Sequence, residues 1–193
     1  MKLKDLLREL LFKDEFEQTT NELIHLKGQL QMLEETRLKT EQMLTQITGD
    51  CHNQIVYYAT NKCEEKIFVV KRSHLYNSET FDLYLRCINY SSGVSMLPVV
   101  YCSYHNHCSL EGKIPFIRID DILMKEHLNV GNGTIAIQGL KTVAQHMKVK
   151  MICGSLSNVD KERFDMLEHF YLKCGFKVNF NEKRTSGHIE LLL

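Results

Sequence analysis

Over residues 1–48 the apolar positions recur in alternating steps of three and four. Leu23, Leu26, Leu30, Leu33, Leu44 and Ile47 fall on this series, with Arg37 and Thr40 in its vacant places. A period of 3.5 predicts one long helix carrying an a/d seam of about four heptads, interrupted in the middle. The segment has no Pro and a single Gly, and Gly49-Asp50 ends it. Such a stripe must be buried against something. Two readings stand: a coiled coil with a second copy, which makes residues 1–48 a homodimerisation element, or folding back onto the chain's own domain.

From residue 51 the pattern shortens. QIVYYA (54–59), KIFVVK (66–71), FDLYLRCI (81–88), PVVYCSY (98–104) and IPFIRIDDILM (114–124) read as strands separated by turn-prone stretches. The period then becomes helical: TIAIQGLKTVAQHM sets Ile137, Leu140, Ala144 and Met147 on one face. VKMICGSLS reads as a buried strand. DKERFDMLEHFYLKCGF is helical again, with Phe164, Leu167, Tyr171 and Cys174 aligned. Asn158 or Asp160 suits its N-cap, and Gly175-Phe176 suits a left-handed C-terminal cap. KVNFNEKRTSGHIELLL closes the chain as two strands and a turn. Residues 51–193 therefore predict a mixed α/β domain, mostly antiparallel, with one parallel pair of strands around a crossover helix.

Composition narrows the function classes. Lys plus Arg and Asp plus Glu are both 24, so the chain lacks the positive excess of a protein that coats nucleic acid. The start, MKLKDLLRELLF, is broken by charges and reads neither as a signal-peptide core nor as a membrane span. Seven cysteines, an odd number in scattered positions, suggest reduced thiols and a cytoplasmic setting.

Two glycines stand where the first helix of the domain begins, in LNVGNGT (128–134). GNGTIA formally fits the dinucleotide fingerprint G-x-G-x-x-G/A, but KEHLNV separates strand from glycines, and the next strand ends in CGSLS without an acid. A nicotinamide-dependent enzyme is therefore a weaker alternative. The physical content that survives is a helix N-terminus whose free N–H groups, over residues 131–135, attract phosphate, with Gly131 and Gly133 leaving room for it.

Taken in order, the motifs resemble those of the GNAT N-acetyltransferases. HFYLKCGF (169–176) is similar to their fourth-helix signature, and LNVGNGT to their pyrophosphate loop Q/R-x-x-G-x-G/A. IDDILM (119–124) and ICGSLSNVD (152–160) are similar to their fourth and fifth strands. The match covers residues 114–178. Leu128 departs from the usual Gln or Arg, which removes a side-chain contact but not the backbone donors. The resemblance implies a GNAT-like fold with acetyl-CoA in the splay between the parallel strands, and no metal. The main chain at Leu123 and Met124 would pair with pantetheine. The amides of Val130, Gly131, Asn132, Gly133 and Thr134 would hold the pyrophosphate, with Asn158 beside the cofactor. Tyr171 would protonate the departing thiolate.

The implied activity is transfer of an acetyl group from acetyl-CoA to an amine acceptor, with no nucleic acid or membrane partner. A base is needed for the ammonium. Strict alternation puts Asp120 and Asp121 on opposite faces, with Asp121 beside Ile117, Ile119 and Leu123, where burial would raise its pKa. The alternative function keeps the fold without the chemistry: an inactive CoA-binding or interaction module oligomerised by the first helix. CSYHNHC (102–108) offers Cys102, His105, His107 and Cys108, but four ligands crowded into one turn are unlike a structural zinc site.

Overall fold

The computed structural model describes residues 3–75, 77–87, 98–106, 114–123 and 129–193. The chain forms two units, Met1–Thr45 and Gln46–Leu193. The first is the body of helix α1 (Leu3–Thr48). Its unbroken 46 residues follow from a composition of good helix formers without proline.

In the second unit eight strands form one sheet among the described residues: β1 (Asn53–Thr60), β2 (Lys66–His74), β3 (Asn77–Cys87), β4 (Val99–His105), β5 (Phe116–Leu123), β6 (Met151–Leu156), β7 (Lys177–Phe180) and β8 (Gly187–Leu192). Their spatial order is β1-β2-β3-β4-β5-β6-β8-β7. Every neighbouring pair is antiparallel except β5 and β6. Helix α2 (Asn132–His146) makes the crossover between them. A short 3-10 helix (Asn158–Arg163) and helix α3 (Phe164–Lys173) link β6 to β7.

The helical periods read from the sequence match the packing. Ile137, Leu140 and Ala144 of α2, and Phe164, Tyr171 and Cys174 at α3, are buried in a single core with Val69, Leu83, Val100 and Ile117 of the sheet. Lys141 Nζ ties α2 to α3 by donating to the Cys174 carbonyl at 2.8 Å. The helix expected from residue 160 begins instead at Phe164, after the 3-10 turn. Neither Asn158 nor Asp160 caps α3; Arg163 holds the N-cap position with no side-chain hydrogen bond.

The other face of the sheet is mixed: Val70 and its cross-strand partner Tyr84 are buried there, among charged residues. Tyr84 stands there between Arg72 and Arg86, whose guanidinium carbons lie 4.8 and 5.2 Å from its ring centre. Asp82, Tyr101 and Asp121 follow in direct register across three strands.

Gly139 is where α2 comes closest to the sheet: an added Cβ would lie 2.6 Å from Val69 Cγ1. Val69 is fully buried and β-branched, so it cannot swing away. Gly139→Ala should therefore destabilise the domain by about 1–2 kcal/mol, the overpacking cost outweighing the helix-propensity gain. Urea denaturation checks this, and Val69→Ala in the same chain should recover part of the loss.

Candidate active site

Helix α2 starts without a side-chain cap. Its N-cap, Gly131, has φ +97, a left-handed conformation that favours glycine. The first bond of the helix runs from Ile135 N–H to the Gly131 carbonyl at 3.1 Å. Ile135 is thus engaged, and the donors without an intrahelical acceptor are those of Asn132, Gly133 and Thr134, one residue fewer at this end than the sequence implied. The turn between β1 and β2 holds this loop. Lys62 N–H donates to the Val130 carbonyl at 2.9 Å, and Asn61 Nδ2 to Asn132 Oδ1 at 3.0 Å. Asn61 also closes its own turn, accepting from the N–H groups of Cys63 and Glu65. The Asn132 side chain is buried, and its Nδ2 has no acceptor among the described residues.

Strands β5 and β6 pair only from Phe116↔Met151 to Ile119↔Gly154. Beyond that point β5 continues to Leu123 while β6 continues to Leu156 on the arm of β8. The two strands splay, leaving the β6-side edge of residues 120–123 without a strand partner among the described residues. Leu123 stands there, 40% exposed, and Asn158 lies exposed at the start of the 3-10 turn that follows β6. Met124 and Leu128 lie outside the described residues.

The two acids depart from strict alternation. On β4 the partners of Ile119 and Ile122 are Cys102 and Val100, two residues apart, whereas the β5 positions are three apart. This one-residue bulge brings Ile119 and Ile122 onto the same inward face and leaves both Asp120 and Asp121 exposed. Asp121 therefore does not share a face with Ile117 and Ile119, and the expected burial is absent. Its carboxylate accepts from the Ile122 N–H at 2.8 Å. Asp120 pairs with Arg118 at 3.4 Å and accepts from Ser103 Oγ at 3.1 Å. Ser103 Oγ is also 3.1 Å from His105 Nε2, and the His105 ring stacks on Phe116. This His–Ser–Asp chain was not visible in the sequence, because only the β4–β5 register brings Ser103 beside Asp120. Cys102 is buried on the opposite face of β4 from His105, so these two do not converge on one ion; His107 and Cys108 lie outside the described residues. Asp50, Cys51 and His52 gather after α1, the first two exposed and His52 half-buried, with ligand atoms within 4.8 Å of one another; the Asp50 carboxylate there accepts the His52 N–H.

Tyr171 is 5% exposed. Its helix ends as the sequence suggested: Gly175 has φ +88, Phe176 N–H donates to the Tyr171 carbonyl, and Gly175 N–H to that of Leu172, both at 2.9 Å. The Phe176 ring meets the Tyr171 ring edge-on at 5.4 Å. Burial pushes the phenol well above its ordinary pKa, and Cys174, Asp160, Asp121 and Cys102 add to the shift. The phenol thus lies within electrostatic reach of the bulged strand. The Cys174 thiol is raised chiefly by burial, against lowering by Lys141 and by the nearby Thr134 side chain. The first turn of α2 and the end of α3 therefore touch.

No protein-family model and no curated protein sequence matches the chain. Among solved structures it is similar to the GNAT domain of S. lividans PAT, with TM-score 0.50 and 9% identity, over 71% of this chain and 96% of that one. Two weaker likenesses are to a chain of the NatC complex bound to Gag peptide and CoA (TM-score 0.43, 13% identity, 60% and 72% covered) and to a domain from Methanocaldococcus jannaschii DSM 2661 (TM-score 0.34, 13% identity, 67% of each). The first alone bears on architecture. The fold is GNAT-like: a mostly antiparallel mixed sheet with one parallel pair, behind a long N-terminal helix.

Burial raises the Cys102, Cys153 and Cys174 thiols as well as the Tyr171 phenol. In the unfolded chain these groups ionise near pH ~8.5 (thiols) and ~10 (phenol). Each folded value is raised, so the stabilisation is complete below the unfolded value and lost as pH climbs through it. The urea midpoint should hold up to about pH 8 and fall steadily through about pH 11. Tyr171→Phe should flatten the part above pH ~10; an unchanged limb would mean the phenol is not desolvated.

Proposed function

We propose that this chain moves an acetyl group from acetyl-CoA to an amine acceptor by direct attack of the amine on the thioester. The observation that carries the reading is the conjunction at the splay: unpaired main chain at the end of β5, uncapped donors at the start of α2, and a buried phenol within electrostatic reach of both the bulge and α3's own cap. The diphosphate of CoA would lie on the amides of Val130, Gly131, Asn132, Gly133 and Thr134. Two features support an anion there: Gly131 carries no side chain to cover the helix end, and the buried Asn132 Nδ2 lacks an acceptor among the described residues. The main chain at Leu123 and Met124 would pair with pantetheine amides, with Asn158 on the facing lip.

In the reaction a C–N bond forms at the thioester carbon while the carbonyl electrons move onto oxygen and return as the C–S bond breaks. A backbone N–H of β5 near Leu123 would suit the oxyanion, the Ile122 N–H being held by the Asp121 carboxylate. Tyr171 stays neutral because ionising it in the core is costly, so its O–H is always a donor. Its pKa lies above that of a thiol. Its part is therefore to hydrogen-bond the departing sulfur, with net protonation completed from solvent. The ammonium proton leaves towards the acidic side of the bulge, where Asp121 is exposed and Asp120 joins the Ser103–His105 chain. A reducing compartment such as the cytosol suits the free thiols of Cys51 and Cys63, both exposed. No helix among the described residues is long and apolar enough to cross a membrane.

One observation favours the second reading, a CoA-binding module without catalysis: both acids are engaged locally, Asp121 by its neighbour's N–H and Asp120 by Arg118. Steady-state assays on a panel of amines, alongside calorimetric titration of acetyl-CoA, separate the two. Tyr171→Phe should lower kcat about 10- to 100-fold, the worth of a hydrogen bond to a developing charge, while acetyl-CoA affinity stays within about twofold. Binding without turnover on any amine selects the module. Gly133→Val should weaken acetyl-CoA binding first, and wild-type affinity in that variant would remove the loop from the site.

A further inference from the structure

We propose that α1 pairs with α1 of a second copy of this chain, as a parallel, in-register, two-stranded coiled coil over residues 12–33. This inference is independent of the acetyl-transfer reading. The exposed seam begins earlier than the leucines alone suggest: Phe12 and Phe16 continue the same alternation of three and four, with Thr19 as the single polar place before Leu23. Phe12, Phe16, Leu23, Leu26, Leu30 and Leu33 are between 58% and 73% exposed. Together they offer on the order of 800 Å² of side-chain surface per copy, the size of a standard protein–protein interface. An apolar stripe of that extent is not a stable solvent face, and a lone helix of this length holds its shape only when one face is packed.

The pattern also says what covers it. A straight period of 3.5 fits another helix of the same period, with Leu26 and Leu33 at d. With Phe16, Leu23 and Leu30 at a, Glu22 falls at g and Lys27 at the following e. In a parallel pair in register, g faces the e position five residues further along the other strand. Glu22 then meets Lys27 of the second copy, twice by symmetry. The flanking g–e pairs, Glu15 with Thr20 and Gln29 with Glu34, set no like charges together. The seam stops at Arg37, the next a position, whose guanidinium is held 3.5 Å from Glu41 of its own helix. Two arginines facing each other there would repel, so apolar pairing ends at Leu33.

Sedimentation equilibrium of the full chain should give twice the 22.5 kDa chain mass. Leu26→Glu with Leu30→Glu should return the protein to one chain and reduce the helical signal at 222 nm. Ile24→Glu is the control: Ile24 is equally exposed, at 64%, but lies off the seam, and this variant should stay paired. Glu22→Lys and Lys27→Glu should each weaken pairing about tenfold, and the double reversal should restore it. These exposed substitutions leave the second unit's core intact, which near-ultraviolet circular dichroism verifies. A single-chain mass at about 50 µM, well above the dissociation constant of a useful pair, overturns the proposal. So does a paired Leu26→Glu/Leu30→Glu variant, a trimer or tetramer, or a double reversal that fails to restore pairing, as an antiparallel arrangement would give.

Discussion

The site depends on β5 and β6 lying parallel for one short stretch and then separating. The stretch ends at Ile119↔Gly154, where the sheet is unusually tight: a Cβ on Gly154 would stand 3.1 Å from Ile189 and 3.2 Å from the Ile119 carbonyl. Past it, β6 is held by its antiparallel partner β8 through Leu156↔Gly187, and β5 by β4 through Val99↔Leu123. Each strand is anchored on its outer side, so neither collapses into the gap. Backbone groups facing the gap other than the Ile122 N–H, which Asp121 holds, would be open to an extended ligand rich in amides.

Short, local bonds then bring three distant segments to that gap. Asn61 and Lys62 steady the loop before α2 from the first hairpin of the domain. Lys141 and Thr134, at one face of α2, hold the Cys174 end of α3. The left-handed Gly175 turns the chain so that Phe176 packs back on Tyr171. The phenol's orientation is thus set by the backbone at its own carbonyl and by a ring at its side, both independent of solvent.

The sequence made the repeating parts legible. The a/d steps, the 3.6-residue faces of α2 and α3 and the Gly175 cap follow from short spacings where periodicity and capping chemistry act, and the parallel pair follows from the succession strand–helix–strand. What it hid depends on register. The bulge at Asp120 inserts one residue, and that single slip moves Asp121 from the inward to the outward face; nothing in the string IRIDDIL marks it. The Asn61–Asn132 bond spans 71 positions, and the Ser103–Asp120 bond 17 across a strand pair. The 3-10 turn at Asn158–Arg163 lengthened a link that helical periodicity had read as helix, because its charged residues fit either form.

The two halves of the proposed reaction would be built to different degrees, and the difference would have chemical consequences. On the α3 side the donor is enclosed and rigid, so its protonation state is fixed across the physiological range. On the bulge side the carboxylates are exposed, and the one nearest a cation, Asp120, is screened by solvent as well as by Arg118. An enzyme of this form would do little to deprotonate its acceptor by force. It would instead hold the thioester carbonyl against unpaired N–H groups and take whatever neutral amine reaches it, so the fraction of uncharged acceptor would govern the rate. His105 is linked through Ser103 to Asp120 on that face, and a proton released at the bulge would have this hydrogen-bonded chain open to it. In the proposed reaction the acceptor side would thus work by relay and solvent access, where the donor side would work by enclosure.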